Sequence, residues 1–342
     1  MVKEHLFGKT LSELKKITEE NGLPAFTSKQ TADWLYKKNI SDIDEMTNLS
    51  KKTRKILKEK FDIGLQKPIS VQTSSDGTKK YLFKAGKNYI EAAYIPSDDR
   101  ATLCVSSQAG CKYACEFCMT GRQGFQANLS ANEILNQIKS LPEFDKLTNI
   151  VYMGMGEPFD NTDEVLKSIE ILTADWGFAW SPKRITVSTN GIISGIKRFL
   201  NESKCHLAIS IHTPFEKERL RLMPVQKTNP ISEVLKIVKN HDFGRQRRIS
   251  FEYIIFKNFN DSMKHADELA RLVYGFHARV NLIRFHEIPG TDLKGTDYKT
   301  PEKFRDRLNE KGITATIRAS RGQDIDAACG LLSTKESEKN KI

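Results

Sequence analysis

The chain runs to 342 residues, 39% hydrophobic and 28% charged, enough to bury a large core and to suggest one large domain beside a smaller one. Six cysteines are too few for a secreted disulfide scaffold, and neither a signal-like apolar run after Met1 nor a membrane-length apolar segment occurs, so a reducing, cytoplasmic setting with no membrane partner is expected. The net charge of +11, from 54 Lys and Arg against 43 Asp and Glu, draws polyanions, RNA or DNA being the usual ones, without choosing a substrate.

Residues 1–66 are expected to form a small helical domain. Thr10-x-x-Glu13 has the form of a capping box opening a helix with Leu11, Leu14 and Ile17 on one stripe. Thr27-x-x-Gln30 opens a second helix, carrying Trp34, Leu35 and Tyr36, and a third runs from about Ser50 with Ile56, Leu57 and Phe61 apolar. The ten residues from Lys51 hold six basic side chains and one glutamate, which fits either a solvated face or contact with RNA phosphates. Residues 67–98 then alternate as a β-hairpin connector, Lys80-Tyr-Leu-Phe-Lys turning at Ala85-Gly-Lys-Asn into Tyr89-Ile-Glu-Ala-Ala-Tyr-Ile. Glu91 in its second strand is either an outward edge charge or, if buried, a carboxylate suited to proton transfer.

After Arg100 a strand–helix beat sets in. Apolar, β-branched runs fall at 102–105, 149–153, 185–189, 207–211, 250–256 and 280–285, with helix-like segments at 131–140, 162–173, 192–200, 231–240, 263–273 and 302–311. Ser130-x-x-Glu133 caps the first of these helices, and a last strand is expected over 313–318. Six parallel units are too few to close an eight-unit barrel. The expected fold is therefore α/β, an open partial (β/α)6 barrel over 99–333 ending in a loop with Cys329, then a loose charged tail at 334–342.

Four of the cysteines lie in 104–125, and Cys111, Cys115 and Cys118 are spaced C-x3-C-x2-C. Two short loops closing on three thiolates can clasp one soft metal centre, and three ligands on an iron–sulfur cube leave one iron open to a small molecule. Zinc would want a fourth ligand close by, and His5 is the only histidine before Cys205. The bland alternative is three thiols in a buried turn. With Phe117 just before the last cysteine, the stretch resembles the signature of the radical S-adenosylmethionine enzymes.

In parallel β/α folds, function collects at the C-terminal ends of the strands. The cysteines follow the first strand, and Gly154-Met-Gly-Glu-Pro158 follows the second, where two glycines admit close backbone approach and Glu157 can accept from an ammonium. Ser188-Thr-Asn-Gly191, Ser210-Ile-His212 and Arg284-Phe-His286 follow others. Each alone reads as a turn; together they place polar groups at one rim, where a nucleoside-like cofactor can lie.

The cysteine motif, the Gly154–Pro158 turn and the C-terminal Arg321-Gly-Gln-Asp-Ile-Asp-Ala-Ala-Cys-Gly330 together resemble the RlmN and Cfr RNA methyltransferases, over nearly the whole chain. The resemblance implies one 4Fe–4S cluster on Cys111, Cys115 and Cys118 and two molecules of S-adenosylmethionine per turnover. One molecule methylates Cys329; the second is cleaved at the open iron to a 5′-deoxyadenosyl radical, which takes a hydrogen from that methyl so that its carbon adds to an adenine. Cys104 would release the protein–RNA crosslink, ending as a disulfide with Cys329, and Glu91 would take a proton. Gly156, Glu157, Ser188, Ser210, Ile211 and His212 would contact the cofactor. His286 stands where the family commonly has asparagine, a departure that keeps a group able to donate or accept. Cys104 read on its own could equally be an inert core thiol, and Cys205 is read as structural.

The implied partners are 23S rRNA, tRNA and an electron donor such as flavodoxin or ferredoxin. The implied reaction is methylation at carbon 2 of adenosine, Pro158 after Glu157 matching the RlmN pattern. The rivals are Cfr-like methylation at carbon 8 and a noncatalytic iron–sulfur RNA-binding sensor.

Overall fold

The computed structural model describes residues 3–244, 247–325, 332–334 and 336. Cys329, and most of the tail expected over 334–342, lie outside the described residues.

The first segment forms three helices, α1 (Leu11–Glu20), α2 (Thr27–Lys37) and α3 (Lys51–Lys60). Thr10 and Glu13 form the reciprocal cap, with Thr10 N–H donating to Glu13 Oε2 at 2.7 Å and Glu13 N–H donating to Thr10 Oγ1 at 3.2 Å. Ser50 caps α3. Thr27 does not cap α2. Its side chain is buried, Phe26 occupies the capping position without a side-chain bond, and Ser28 Oγ donates to the Ala25 carbonyl instead. On α3, Lys58 pairs with Asp42 and Asp44 and Arg54 donates to the Asp44 carbonyl, which leaves Lys51, Lys52, Lys55 and Lys60 as the exposed cations of that run, Lys60 donating to the Asn21 side-chain carbonyl. The helices dock on the rest of the chain through the rings of Phe7, Tyr36, Trp176 and Phe178 and an ion pair of 2.6 Å between Glu13 and Lys167.

One ten-stranded sheet carries the remainder, and its strands stand side by side in chain order. The expected hairpin is β2 (Lys79–Ala85) and β3 (Asn88–Ser97), preceded by β1 (Ser70–Thr73). These three are antiparallel and join the large sheet directly, because β3 pairs antiparallel with β4 (Arg100–Cys104). Seven strands from β4 onward are parallel: β5 (Asn149–Tyr152), β6 (Ile185–Thr189), β7 (His206–Ser210), β8 (Ile249–Ile255), β9 (Ala278–Arg284) and β10 (Ala315–Ile317) follow it. The crossovers hold α4 (Ala131–Lys139), α5 (Thr162–Thr173), α6 (Ile193–Glu202), α7 (Glu216–Leu222), α8 (Ile231–Lys239), α9 (Met263–Leu272) and α10 (Lys299–Glu310). The six β/α units match the expected beat and the sheet stays open. Two helices in the crossovers were not expected, α7 between β7 and β8 and a single turn at Met119–Arg122 between β4 and α4.

Alternation decides which side chains face the helices and which face the concave side. Tyr253 is fully buried against Phe304 of α10, ring centroids 5.2 Å apart. On the other side the register aligns Ser210, Glu252, Asn281 and Thr316 across four strands, joined by Asn281 Nδ2 donating to Glu252 Oε1 at 2.8 Å and Thr316 Oγ1 donating to Asn281 Oδ1 at 3.1 Å. Among the described residues no helix is long and apolar enough to cross a membrane.

Candidate active site at the open end of the sheet

The chain leaves β4 at Cys104 and is pinned to the turn after β5. Ser107 N–H and Gln108 N–H both donate to the Met155 carbonyl, at 2.9 and 3.1 Å, and Gly154 N–H donates to the Val105 carbonyl at 3.0 Å. The glycines of that turn are needed for the approach. A Cβ on Gly154 would sit 2.7 Å from the Val105 backbone, and Gly156 has φ +92° with Gln108 atoms 2.4 Å from where its Cβ would be.

The loop from Cys111 to Cys118 then folds back, with Cys111 N–H donating to the Gly124 carbonyl and Cys118 N–H donating to the Cys115 carbonyl, each at 3.1 Å. Phe117 packs edge-on to His212, centroids 4.8 Å apart, so the aromatic residue of the motif seats the loop against the end of β7. Burial pushes the Cys111 thiol up to about 12 and Cys115 well above its ordinary value. The neighbouring cysteines raise Cys115 further, while the Arg219 guanidinium opposes the rise. Three thiolates crowded in one loop need a multivalent soft cation to stay ionised, which is the donor chemistry of an iron–sulfur cube. Among the described residues no three Cys, His, Asp or Glu side chains are set to hold a single metal ion, and a cube, whose irons occupy separate corners, asks its thiolates to stand further apart than one ion does. The residues present fit the cluster.

The predicted rim residues do gather. Glu157 is buried, its Oε1 accepting from Thr189 Oγ1 at 2.7 Å and from Phe159 N–H at 3.0 Å, and its Oε2 from Asn190 N–H at 2.8 Å. Ser188 and Ser210 are half-buried near the C-terminal ends of β6 and β7, whereas the Ile211 side chain is wholly inside the core. His212 has φ +60° and is buried, and its Nδ1 accepts from Ile254 N–H at 3.0 Å. Burial holds its ring neutral, at about 3, so its proton lies on Nε2 and that nitrogen is a donor. His286 lies just past β9, lowered by burial and by Arg284. Among the described residues, Ser107 Oγ, Thr120 Oγ1 and Asn190 Oδ1 are buried here without hydrogen-bond partners, as expected of a rim built to meet a polar ligand.

Despite three donors, burial raises Glu157 to about 7 from an ordinary 4.5. Its folded value stands above its unfolded one, so protonation favours the fold. The stability it contributes is present below pH 4.5 and is lost as pH rises through about 7, on the order of 3 kcal/mol. His212, kept neutral, works in the other sense between about 3 and 6.5. The two slopes oppose each other, so the difference between Glu157→Gln and the natural chain isolates the carboxylate. Urea unfolding is expected to show the variant gaining on the natural chain between pH 5 and pH 8; a constant difference would refute the assignment.

The hairpin supplies the other wall. Residues directly opposite in an antiparallel pair share a face, and the register places Lys80 opposite Ala93 and Ala93 opposite Cys104. Glu91, two residues before Ala93, is on the same face. It is buried, not outward: Lys80 Nζ pairs with its Oε2 at 2.7 Å, both side chains nearly inaccessible, and Ser333 N–H donates to its Oε1 at 2.6 Å. Gln123, just after the cysteine loop, donates to Ser333 Oγ and Thr334 Oγ1 at 3.0 and 2.6 Å. On the other flank of the undescribed stretch, Asp324 accepts from Ser74 Oγ and from Ser75 N–H, bonds that hold its carboxyl down at about 2. The structure thus brings Glu91, Cys104, the three loop cysteines and the rim residues to one end of the sheet. Sequence reasoning missed Lys80 and the buried Arg219.

Residues 105–270 match the family model described as the radical SAM superfamily, and residues 4–63 match the ribosomal RNA large subunit methyltransferase N-terminal domain. The chain is 60% identical over 336 residues, 98% of each chain, to a protein of Parabacteroides distasonis named "Probable dual-specificity RNA methyltransferase RlmN". It is 41% identical to the dual-specificity RNA methyltransferase RlmN of Halorhodospira halophila, over 96% of this chain and 92% of that one. The crystal structure of a radical SAM methyltransferase from Sphaerobacter thermophilus superposes with a TM-score of 0.89 at 36% identity, covering 96% of this chain and 98% of that one. With three cysteines on the loop after its first parallel strand and these relatives spanning almost all of its length, the chain belongs to the RlmN family of radical S-adenosylmethionine RNA methyltransferases.

Proposed function

We propose that the chain methylates carbon 2 of an adenosine in 23S rRNA near the peptidyl transferase centre, and the adenosine 3′ of the anticodon in some tRNAs. It would consume two S-adenosylmethionine molecules per turnover and draw electrons from a donor such as flavodoxin or ferredoxin. The observation that carries this reading is the shared face of Lys80, Glu91 and Cys104, with Ser333 bonded to Glu91. Cys329 is four residues from Ser333, a length of chain that spans at most about 14 Å.

Carbon 2 of adenine lies between two ring nitrogens and is electron-poor, so it does not displace a methyl from a sulfonium as a nucleophile. When bound, the cluster supplies the electron that cleaves the second cofactor molecule and starts radical chemistry at the methyl group. The chain's residues do the rest. Cys329 carries the methyl as a thioether, having taken it as a thiolate. Glu91, ion-paired with Lys80, receives the proton that leaves carbon 2. Cys104 attacks the Cys329 sulfur as a thiolate, so that the sulfur–carbon bond breaks as the disulfide forms. The released carbon takes up a proton to become the methyl group of the base, the unpaired electron leaves to the electron-transfer chain, and cellular thiol reductants reopen the disulfide. Gly156 and Ile211 offer backbone, Glu157 a lone pair on Oε2, Ser188 and Ser210 hydroxyls, His212 its Nε2–H and His286 a ring nitrogen to hold the cofactor. Lys51, Lys52, Lys55 and Lys60 are the exposed cations of α3 for RNA phosphates.

The test is mass spectrometry of rRNA and tRNA digests from cells with and without the chain. We expect 2-methyladenosine that depends on the chain; finding 8-methyladenosine alone would replace this reading with the carbon 8 reaction suggested by the Cfr resemblance.

A further inference from the structure

Arg219 is among the largest fully buried side chains and lies on α7, the helix that seats the cysteine loop. Glu116 N–H, next to Cys115, donates to the Leu222 carbonyl at 2.9 Å, and Arg221 reaches the Glu116 carboxylate at 3.3 Å. Arg219 points the other way, inward. Its Nη1 donates to Gln226 Oε1 at 2.7 Å, and its Nη2 donates to the carbonyls of Asn190 and Ser210, at 2.6 and 3.1 Å. Those are the exits of β6 and β7. Its Nε–H is buried with no acceptor, and every partner it has among the described residues is neutral. A guanidinium taken out of water without an anion costs several kcal/mol, so a fold that keeps one is expected to set a negative charge beside it.

We propose that Arg219 is the counter-cation of the cluster held by Cys111, Cys115 and Cys118, raising its reduction potential, while its fork fixes the β6 and β7 exits against the cysteine loop. Reduction adds a negative charge to a cluster already anionic through its thiolates, and a buried cation favours the more negative state far more than a solvated one. Arg219 touches no reacting atom. It is a positioning residue.

The inference rests on the cluster assignment, and the experiment separates the two. Reconstituted protein is titrated with reductant and followed by electron paramagnetic resonance. Arg219→Gln is expected to lower the midpoint so that the reduction equilibrium falls about tenfold or more, about 59 mV for one electron. Arg219→Lys, which keeps the charge and loses the fork, is expected to stay within that window, as is Arg221→Gln, whose guanidinium is exposed. An iron-loaded Arg219→Gln with the natural midpoint overturns the proposal, and so does Arg219→Lys falling as far as Gln. Should Arg219→Gln hold no iron, the Lys variant decides alone by the same window. A natural chain that loads no iron would instead sink the cluster assignment.

Discussion

Replacing Cys329 by alanine is expected to abolish RNA methylation while reduced, reconstituted protein still cleaves S-adenosylmethionine. In the proposed scheme cleavage depends on the cysteine loop and the rim, neither of which includes residue 329. Methyl transfer depends on a sulfur that carries the carbon, and alanine has none. A coupled assay of 5′-deoxyadenosine release and of methyl incorporation into an rRNA fragment separates the two readouts. Retained methylation in the alanine variant would end the thioether scheme, whereas loss of both readouts would mean that the last segment is needed to build the cofactor rim.

The second large effect concerns the buried pair. Glu91→Gln keeps the size of the side chain and removes the base, and we expect a loss of roughly 10²–10⁴ in single-turnover methylation. Lys80→Met strips the cation from a carboxylate that is 3% exposed, which is expected to cost about 3–5 kcal/mol in urea unfolding. The double variant Lys80→Met with Glu91→Leu should recover most of that stability and none of the activity. This contrast matters because breaking one half of a buried ion pair leaves a stranded charge, whereas removing both does not. Stability unchanged by Lys80→Met would mean that the pair is not buried in solution.

Much of this arrangement was legible before any coordinates because its signals are local. The caps at Thr10 and Ser130, the helix start near Ser50 and the strand–helix beat need only neighbours along the chain. Thr27 shows where that logic fails: the pattern is a capping box, but tertiary burial claims the hydroxyl. Helix α7 gave no periodic signal, since five of its seven residues are charged, and nothing in Glu-Lys-Glu-Arg-Leu-Arg-Leu tells the fully buried Arg219 from the exposed Arg221 two positions further on. Glu157 was legible as a rim carboxylate, but its three protein donors were not, because Thr189 and Asn190 come from the next crossover. Lys80 was within reach: the turn at Gly86 and Lys87 sets the register that puts it on the face of Glu91, and only the decision between an outward and an inward face was lacking.

The side-by-side order of the ten strands also sets a timetable. A chain emerging from the ribosome can lay each new strand against the one just made, so the growing edge always has a template and never waits for a distant piece. The bond between Ser333 and Glu91 joins residues 242 apart and is among the last that synthesis permits. The thiol loop is therefore complete, and open to iron delivery, before the segment bearing Cys329 is even translated.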